Sequence, residues 1–171
     1  MMHAHPTTPF GRRSLSLAMV ASQVVANACP ADAVTHKWRL FRALTEAKTY
    51  LGANGPLPDR ALAVLHALLS FHQETTMTQA TNLVVFPSNR ELSIRANGMA
   101  PATLRRHLAA LVDAGLIIRR DSPNGKRYAR KGQGGEIENA FGFDLTPLVA
   151  RAAEIENLAE EGQNDGMDGT L

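Results

Sequence analysis

The chain has one cysteine, Cys29. A single thiol excludes an internal disulfide and any zinc site built on several thiolates, and it suits a reducing cytoplasm. Long apolar runs are missing too. The most apolar stretch near the start, SLSLAMVASQVVANACPA, follows Arg12 and Arg13 and so invites a leader-peptide reading. Ser16, Ser22, Gln23 and Asn27 interrupt it, leaving it too short and too polar to span a bilayer. An amphipathic helix joining the core is the better expectation, and no membrane partner is expected.

The signatures of catalysis are equally scarce. Gly125-Lys126 is followed by Arg and lacks the upstream glycine of a phosphate-binding loop. Gly132, Gly134 and Gly135 have no strand-to-helix context and read as a connector. His66 and His72 stand six residues apart, which does not bring two imidazoles onto one helical face. No HExxH motif, nucleophile–base pairing or carboxylate cluster is present. The expectation is a binding protein, not an enzyme, with no metal and no cofactor.

What is there is positive charge in one part of the chain. Residues 1–131 hold 17 Lys and Arg against seven Asp and Glu, whereas residues 132–171 hold one against nine. A basic body followed by an acidic tail fits a polyanion-binding surface with a segment kept off the polyanion.

Apolar periodicity predicts mainly helices with a small β-hairpin or sheet. Residues 1–13 are expected to be disordered. A helix is expected over 15–26 and another over 34–50, with Val34, Trp38, Phe41 and Leu44 as its inward stripe. Trp38, the only tryptophan, reads there as a core anchor, with stacking on a base or partner as the alternative. Residues 59–72 give a helix apolar over so much of its surface that it belongs deep in the core. Leu83-Val84-Val85-Phe86 suits a short buried strand ended by Pro87.

Residues 88–131 carry the functional signal. Ser88 to Glu91 reads S-N-R-E, a capping box that opens a short helix, and Asn97-Gly98 closes it. Pro101 fits the first turn of the next helix. Leu104, Leu108, Leu111 and Val112 face inward, and Gly115 ends the helix. At about 100° per residue the opposite face collects Ala102, Thr103, Arg106, Ala109 and Ala110, with Arg105 at its shoulder. Small residues let a helix seat in a major groove, where Arg can fork onto guanine or phosphate. Two strands, 117–120 and 127–130, are then expected to form a hairpin turned at Asn124-Gly125. Arg119, Arg120, Lys126, Arg127, Arg130 and Lys131 surround Tyr128 there, a wing able to hold a phosphate backbone.

The pattern is a winged helix-turn-helix domain over 14–161 with additional N-terminal helices. The helix-turn-helix covers 88–115, the wing 117–131 and a C-terminal helix 146–161. That last helix carries Leu148, Ala152, Ile155 and Ala159 as a stripe for this domain or for a second copy, and residues 162–171 are expected to be a disordered tail. The expected partner is double-stranded DNA. A winged-helix transcriptional regulator would show the same physics as any other user of the groove.

The wording of the chain narrows this. DRALAVLHALLSFH, NLVVFPSNRELSIRANGMAPATLRRHLAALVDAGLIIRRDSPNGKRYARKG and FGFDLTPLVARAAE closely resemble the N-terminal region of the RepC replication-initiation proteins of alphaproteobacterial plasmids, over roughly residues 11–161. The resemblance implies an initiator that binds plasmid origin DNA, with the origin inside its own coding sequence. It places the DNA contacts on the helix 101–114 and the wing 119–131. Host replication proteins are a further expected partner, and the stripe of the C-terminal helix leaves a second copy of the chain as another. Members of that family continue into a C-terminal domain. The expectation for this sequence is therefore origin binding without completed initiation, or a shortened product.

Overall fold

The computed structural model describes residues 17–121 and 141–169. Its elements run α1 (Leu17–Asn27), β1 (Val34–His36), α2 (Lys37–Glu46), a 3-10 turn (Lys48–Tyr50), α3 (Asp59–Ser70) and β2 (Thr76–Thr78). There follow β3 (Val84–Val85), α4 (Asn89–Arg95), α5 (Pro101–Asp113), β4 (Ile118–Asp121), β5 (Phe141–Asp144), α6 (Thr146–Ala150) and α7 (Ala152–Gly169). The mainly helical class with a small sheet is what forms. Among the described residues, no helix is long and apolar enough to cross a membrane.

α3 is the centre of the core. Ala61, Leu62, Val64, Leu65, Ala67, Leu68 and Leu69 are all buried on it, because α2, α4 and α5 pack around it. Such all-round apolarity is tolerable only for a helix covered on most sides.

The segment 34–50 differs from its expectation. Val34–His36 is a strand, paired antiparallel with β2 in the register Val34↔Thr78, Thr35↔Met77, His36↔Thr76. The helix starts only at Lys37, where His36 Nδ1 accepts from the Arg39 amide at 3.3 Å. With Val34 outside the helix, the stripe turns. Leu40, Ala43 and Leu44 point inward, while Val34 is 66% and Trp38 37% exposed. Trp38 is therefore not a core anchor.

Lys37 takes an inward place instead. Its ammonium donates to the carbonyl of Leu69 at 3.1 Å and to that of His72, at the end of α3. A helix C-terminus leaves carbonyls without intrahelical donors, and a buried cation there satisfies them. Burial also lowers the Lys37 pKa below its ordinary value.

The C-terminal helix is broken at Arg151 into α6 and α7, and α7 continues to Gly169 where the sequence expectation stopped at 161. Leu148, Ile155 and Ala159 are buried as their spacing implies. α7 packs on α2 of the same chain, so its apolar stripe is covered without a second copy. The two backbones come close: a Cβ on Gly162 would lie 2.6 Å from the Glu46 carbonyl oxygen.

β5 is the central strand of a three-stranded antiparallel sheet in the order β3-β5-β4. Ile118, Arg119, Arg120 and Asp121 pair with Asp144, Phe143, Gly142 and Phe141. β4 thus pairs with Phe141–Asp144, and the expected hairpin strand 127–130 lies outside the described residues.

Candidate nucleic-acid interface

α4 and α5 are set by local chemistry at each end. The Ser88 hydroxyl accepts from the Glu91 amide at 3.0 Å, and the Ser88 amide donates to Glu91 Oε1 at 3.1 Å. This reciprocal cap is what a seven-residue helix needs, since so short a helix has little propagation energy of its own. α4 ends with Asn97 at φ 64° and Gly98 at φ 74°, two left-handed residues in a row, and the Gly98 amide donates to the Ser93 carbonyl. That turn aims α5 away from α4.

α5 starts with Pro101 in its first turn and buries Leu104, His107, Leu108, Leu111 and Val112. Its far end is held by Arg151. Nη1 of that residue donates to the carbonyls of Ala114 and Gly115, both at 3.0 Å, while Nε and Nη2 bond the Glu154 carboxylate at 2.9 Å each. Those hydrogen bonds hold the Glu154 pKa below its ordinary value.

The outward side of α5 is narrower than its sequence face. Ala102, Arg105 and Arg106 are exposed, whereas Thr103, Ala109 and Ala110 are half-buried. The open part is the first half of the helix, the part that meets base edges in helix-turn-helix proteins. Behind it sits His107, 7% exposed, with Nε2 making no hydrogen bond among the described residues. Burial lowers its pKa, and the nearby charges of Arg106 and Arg60 lower it further. Arg60, on α3, is thus a cation near His107 that the sequence alone does not place. No local signal marks it, because it is brought there by the packing of α3 on α5.

The arginines of β4 are placed differently. Arg119 is 8% exposed, and its guanidinium lies 5.2 Å from the centroid of the Phe143 ring. Arg120 donates from Nε and Nη2 to Asp144 Oδ2 at 3.1 and 2.9 Å, and from Nη1 to Gln23 Oε1 at 2.9 Å. Asp144 Oδ1 accepts in turn from the amide and hydroxyl of Thr146. Both arginines are held against the body rather than presented on an open face. Arg95 of α4 is tied in as well, bonded to the Ser70 carbonyl and hydroxyl and stacked 3.7 Å over Phe71.

Asn124, Lys126, Arg127, Tyr128, Arg130 and Lys131, expected as wing contacts, lie outside the described residues. Among the described residues, no group of three or more His, Cys, Asp or Glu side chains is arranged to hold a metal ion. His72 is buried, its ring nitrogens 3.2 and 3.3 Å from the carbonyl oxygens of Asn82 and Thr76.

Comparison with known proteins agrees with the resemblance in the sequence. A replication protein C from Sinorhizobium fredii is 58% identical over 159 residues, which cover 93% of this chain and 38% of that protein. A replication protein C from Rhizobium rhizogenes is 52% identical over 159 residues, with the same coverage. The chain spans about two fifths of the length of these relatives. No solved structure matches it significantly. Residues 13–168 match the family described as the replication protein C N-terminal domain, and the chain belongs to that family.

Proposed function

We propose that this chain is the duplex-DNA-binding part of a plasmid replication initiator, acting by binding rather than by catalysis in the cytoplasm. α4 and α5 serve as its helix-turn-helix, and α5 enters the major groove. The observation that carries the reading is the first half of α5. Small Ala102 stands beside exposed Arg105 and Arg106, on a helix locked by Leu104, Leu108 and Leu111 behind and by Arg151 at its end. The order from α3 to β5, with the sheet order β3-β5-β4, supports a winged-helix arrangement in which β4 and β5 are the base of the wing. Relatives named replication protein C supply the purpose.

Arg106 reads a base or a phosphate in this scheme, Arg105 steadies the backbone beside it, and Ala102 lets the helix sit close. Origin recognition is tested by fluorescence anisotropy with duplex fragments tiling the chain's own coding sequence, its promoter and unrelated DNA at fixed salt. A tight site within the coding sequence, lost with Arg106→Ala, is expected. With about five phosphates neutralised, log K falls against log salt with a slope of about −4.5. Binding confined to the promoter, with plasmid maintenance unaffected by deletion, would favour a transcriptional regulator and remove the initiator reading. A salt slope near zero would remove duplex binding altogether.

A further inference from the structure

Trp38, Phe41 and His66 form an aromatic group at the surface where α2 crosses α3. The Trp38 and His66 rings are 4.8 Å apart at 32°, nearly stacked, while Phe41 meets both edge-on at 6.4 and 5.1 Å. His66 is exposed and Trp38 is 37% exposed, an unusual place for the chain's one tryptophan. Burying an indole removes a large apolar area from water, so leaving it open forgoes stability that the core of this fold could have used. The Lys37 ammonium lies 4.9 Å from the Trp38 ring centroid and is fixed to the last carbonyls of α3. His66 thus stands on α3, and the Lys37 ammonium is fixed at the end of that helix.

The charge nearest this group on α2 is cationic, with Glu46 two turns beyond Trp38 and Glu156 of α7 across a cleft. Arg42 is exposed one turn beyond Trp38 on the same side of α2. Arg39 is exposed too, although it opens on a cleft of about 380 Å³ that it shares with Glu156 of α7. The acids of α2 and α3 are confined to Glu46, at the end of one helix, and Asp59, at the start of the other, where it is paired with Lys48. An apolar protein partner would be matched by an apolar rim. A flat indole with the exposed Arg42 beside it matches instead a ligand with a π-face and a phosphate.

We infer that Trp38, supported by His66 and Phe41 and flanked by Arg42, is a stacking platform for an unpaired base of single-stranded nucleic acid. Duplex DNA hides its base faces, so this surface takes a strand that has been opened. Arg42 holds the adjoining phosphate, and the indole takes any base, because every base offers a π-face. The platform stands on α2 and α3 and does not rest on α5 being the duplex-reading helix.

The single tryptophan provides the assay. The full chain is titrated with a short oligothymidylate and with an abasic oligomer of equal length, following Trp38 fluorescence. Duplex affinity is measured separately by anisotropy. We expect oligothymidylate to quench the emission and to bind about tenfold or more tighter than the abasic strand, as loss of one stacked base implies. Trp38→Ala removes that advantage and leaves duplex affinity unchanged. Trp38→Phe keeps most of it, and Arg42→Ala weakens both oligomers alike. The platform is overturned if emission is unaffected, if the abasic strand binds as well as oligothymidylate, or if properly folded Trp38→Ala binds oligothymidylate as the parent does. Should Trp38→Ala fail to fold, Trp38→Phe and Arg42→Ala decide on the same criteria. Failure of duplex binding with quenching intact would remove the α5 reading and leave this one standing.

Discussion

Arg105-Arg106 and Arg119-Arg120 look interchangeable as text: adjacent arginines, fourteen residues apart, in one basic segment. In the folded chain they have opposite roles. On α5, successive side chains step round the helix by about 100°, and the inward arc is already taken by Leu104, Leu108 and Leu111, so both arginines stay outside. On β4, successive side chains go to opposite faces. One face meets Phe143 on the neighbouring strand and the other meets α1 through Gln23, so neither arginine reaches open solvent freely. Charge in one basic segment thus divides into charge that is presented and charge that holds the presenting frame together. Only the cover on each element tells them apart.

The largest effect should come from breaking the held pair. Asp144→Ala leaves the Arg120 guanidinium without its carboxylate and removes the acceptor for Thr146 at the start of α6. Loss of one partner from a buried pair costs about 3–5 kcal/mol. Arg120 is 33% exposed, which places the expected loss near the lower end, about 3 kcal/mol. Urea denaturation measures it. The duplex affinity of the folded fraction should be unchanged. A variant of normal stability with lost duplex affinity would show that the β4 arginines work at DNA after all, and the contrast would collapse.

The converse experiment is Arg106→Ala. Duplex affinity should fall by about 1–3 kcal/mol if the guanidinium reads a base, with discrimination between sites reduced. Stability should stay within about 0.5 kcal/mol of the parent, as for other open surface positions. Together the two variants should separate cleanly, one moving the denaturation midpoint and the other the binding curve.

The sequence was most legible where structure is local. Ser88, Glu91, Asn97-Gly98, Pro101 and Gly115 each act within a few residues, and each stands where its chemistry places it. It was least legible where distant segments compete. Asn124-Gly125 and the strand 127–130 that it suggested lie outside the described residues, so the pairing of β4 has to be read from elsewhere. Among the described residues β4 pairs with the distant Phe141–Asp144, which offers Arg120 a carboxylate and has Gly142 where any Cβ would strike Phe86 at 2.7 Å. The α2 register failed for a similar reason. Val34 pairs with Thr78 from beyond α2 and α3, and Lys37 turns inward because α3 ends beside it with carbonyls to satisfy. Neither neighbour is visible from the helix's own periodicity. On α5 the exposure of Ala102, Arg105 and Arg106 agrees with the face read from the sequence, the partial burial of Thr103, Ala109 and Ala110 does not, and the presented or held state of each arginine needed the packing.

A smaller effect is expected at the frame of the open pair. Ser88→Ala removes the hydroxyl that accepts from Glu91 and should cost about 1 kcal/mol of stability. Ser88→Asp, which can still cap, should restore it. If α4 does no more than buttress α5, duplex affinity will follow the folded fraction in both variants. A larger binding loss in Ser88→Ala would place the start of α4 itself on the phosphate backbone and extend the presented surface beyond α5.

The smallest effect, and the sharpest test of the contrast, is the pH dependence built around His107. Burial lowers its pKa from the ordinary 6.5, with Arg106 and then Arg60 adding to the shift. The folded protein therefore binds fewer protons than the unfolded chain between the lowered value and 6.5. Stability rises with pH through that window, and is lost as the imidazole is forced to protonate on acidification. His107→Gln should flatten this slope in urea denaturation series below neutral pH. Arg106→Ala, which removes one of the two neighbouring cations, should raise the His107 ring titration toward 6.5 in an NMR titration and reduce the slope in part. Arg119→Ala should leave the ring titration alone, because its charge lies against Phe143 and not among the causes of the shift. Equal responses to the two arginines would mean that β4 and α5 share one electrostatic surface, and the division between presented and held charge would fail where it is measured most directly.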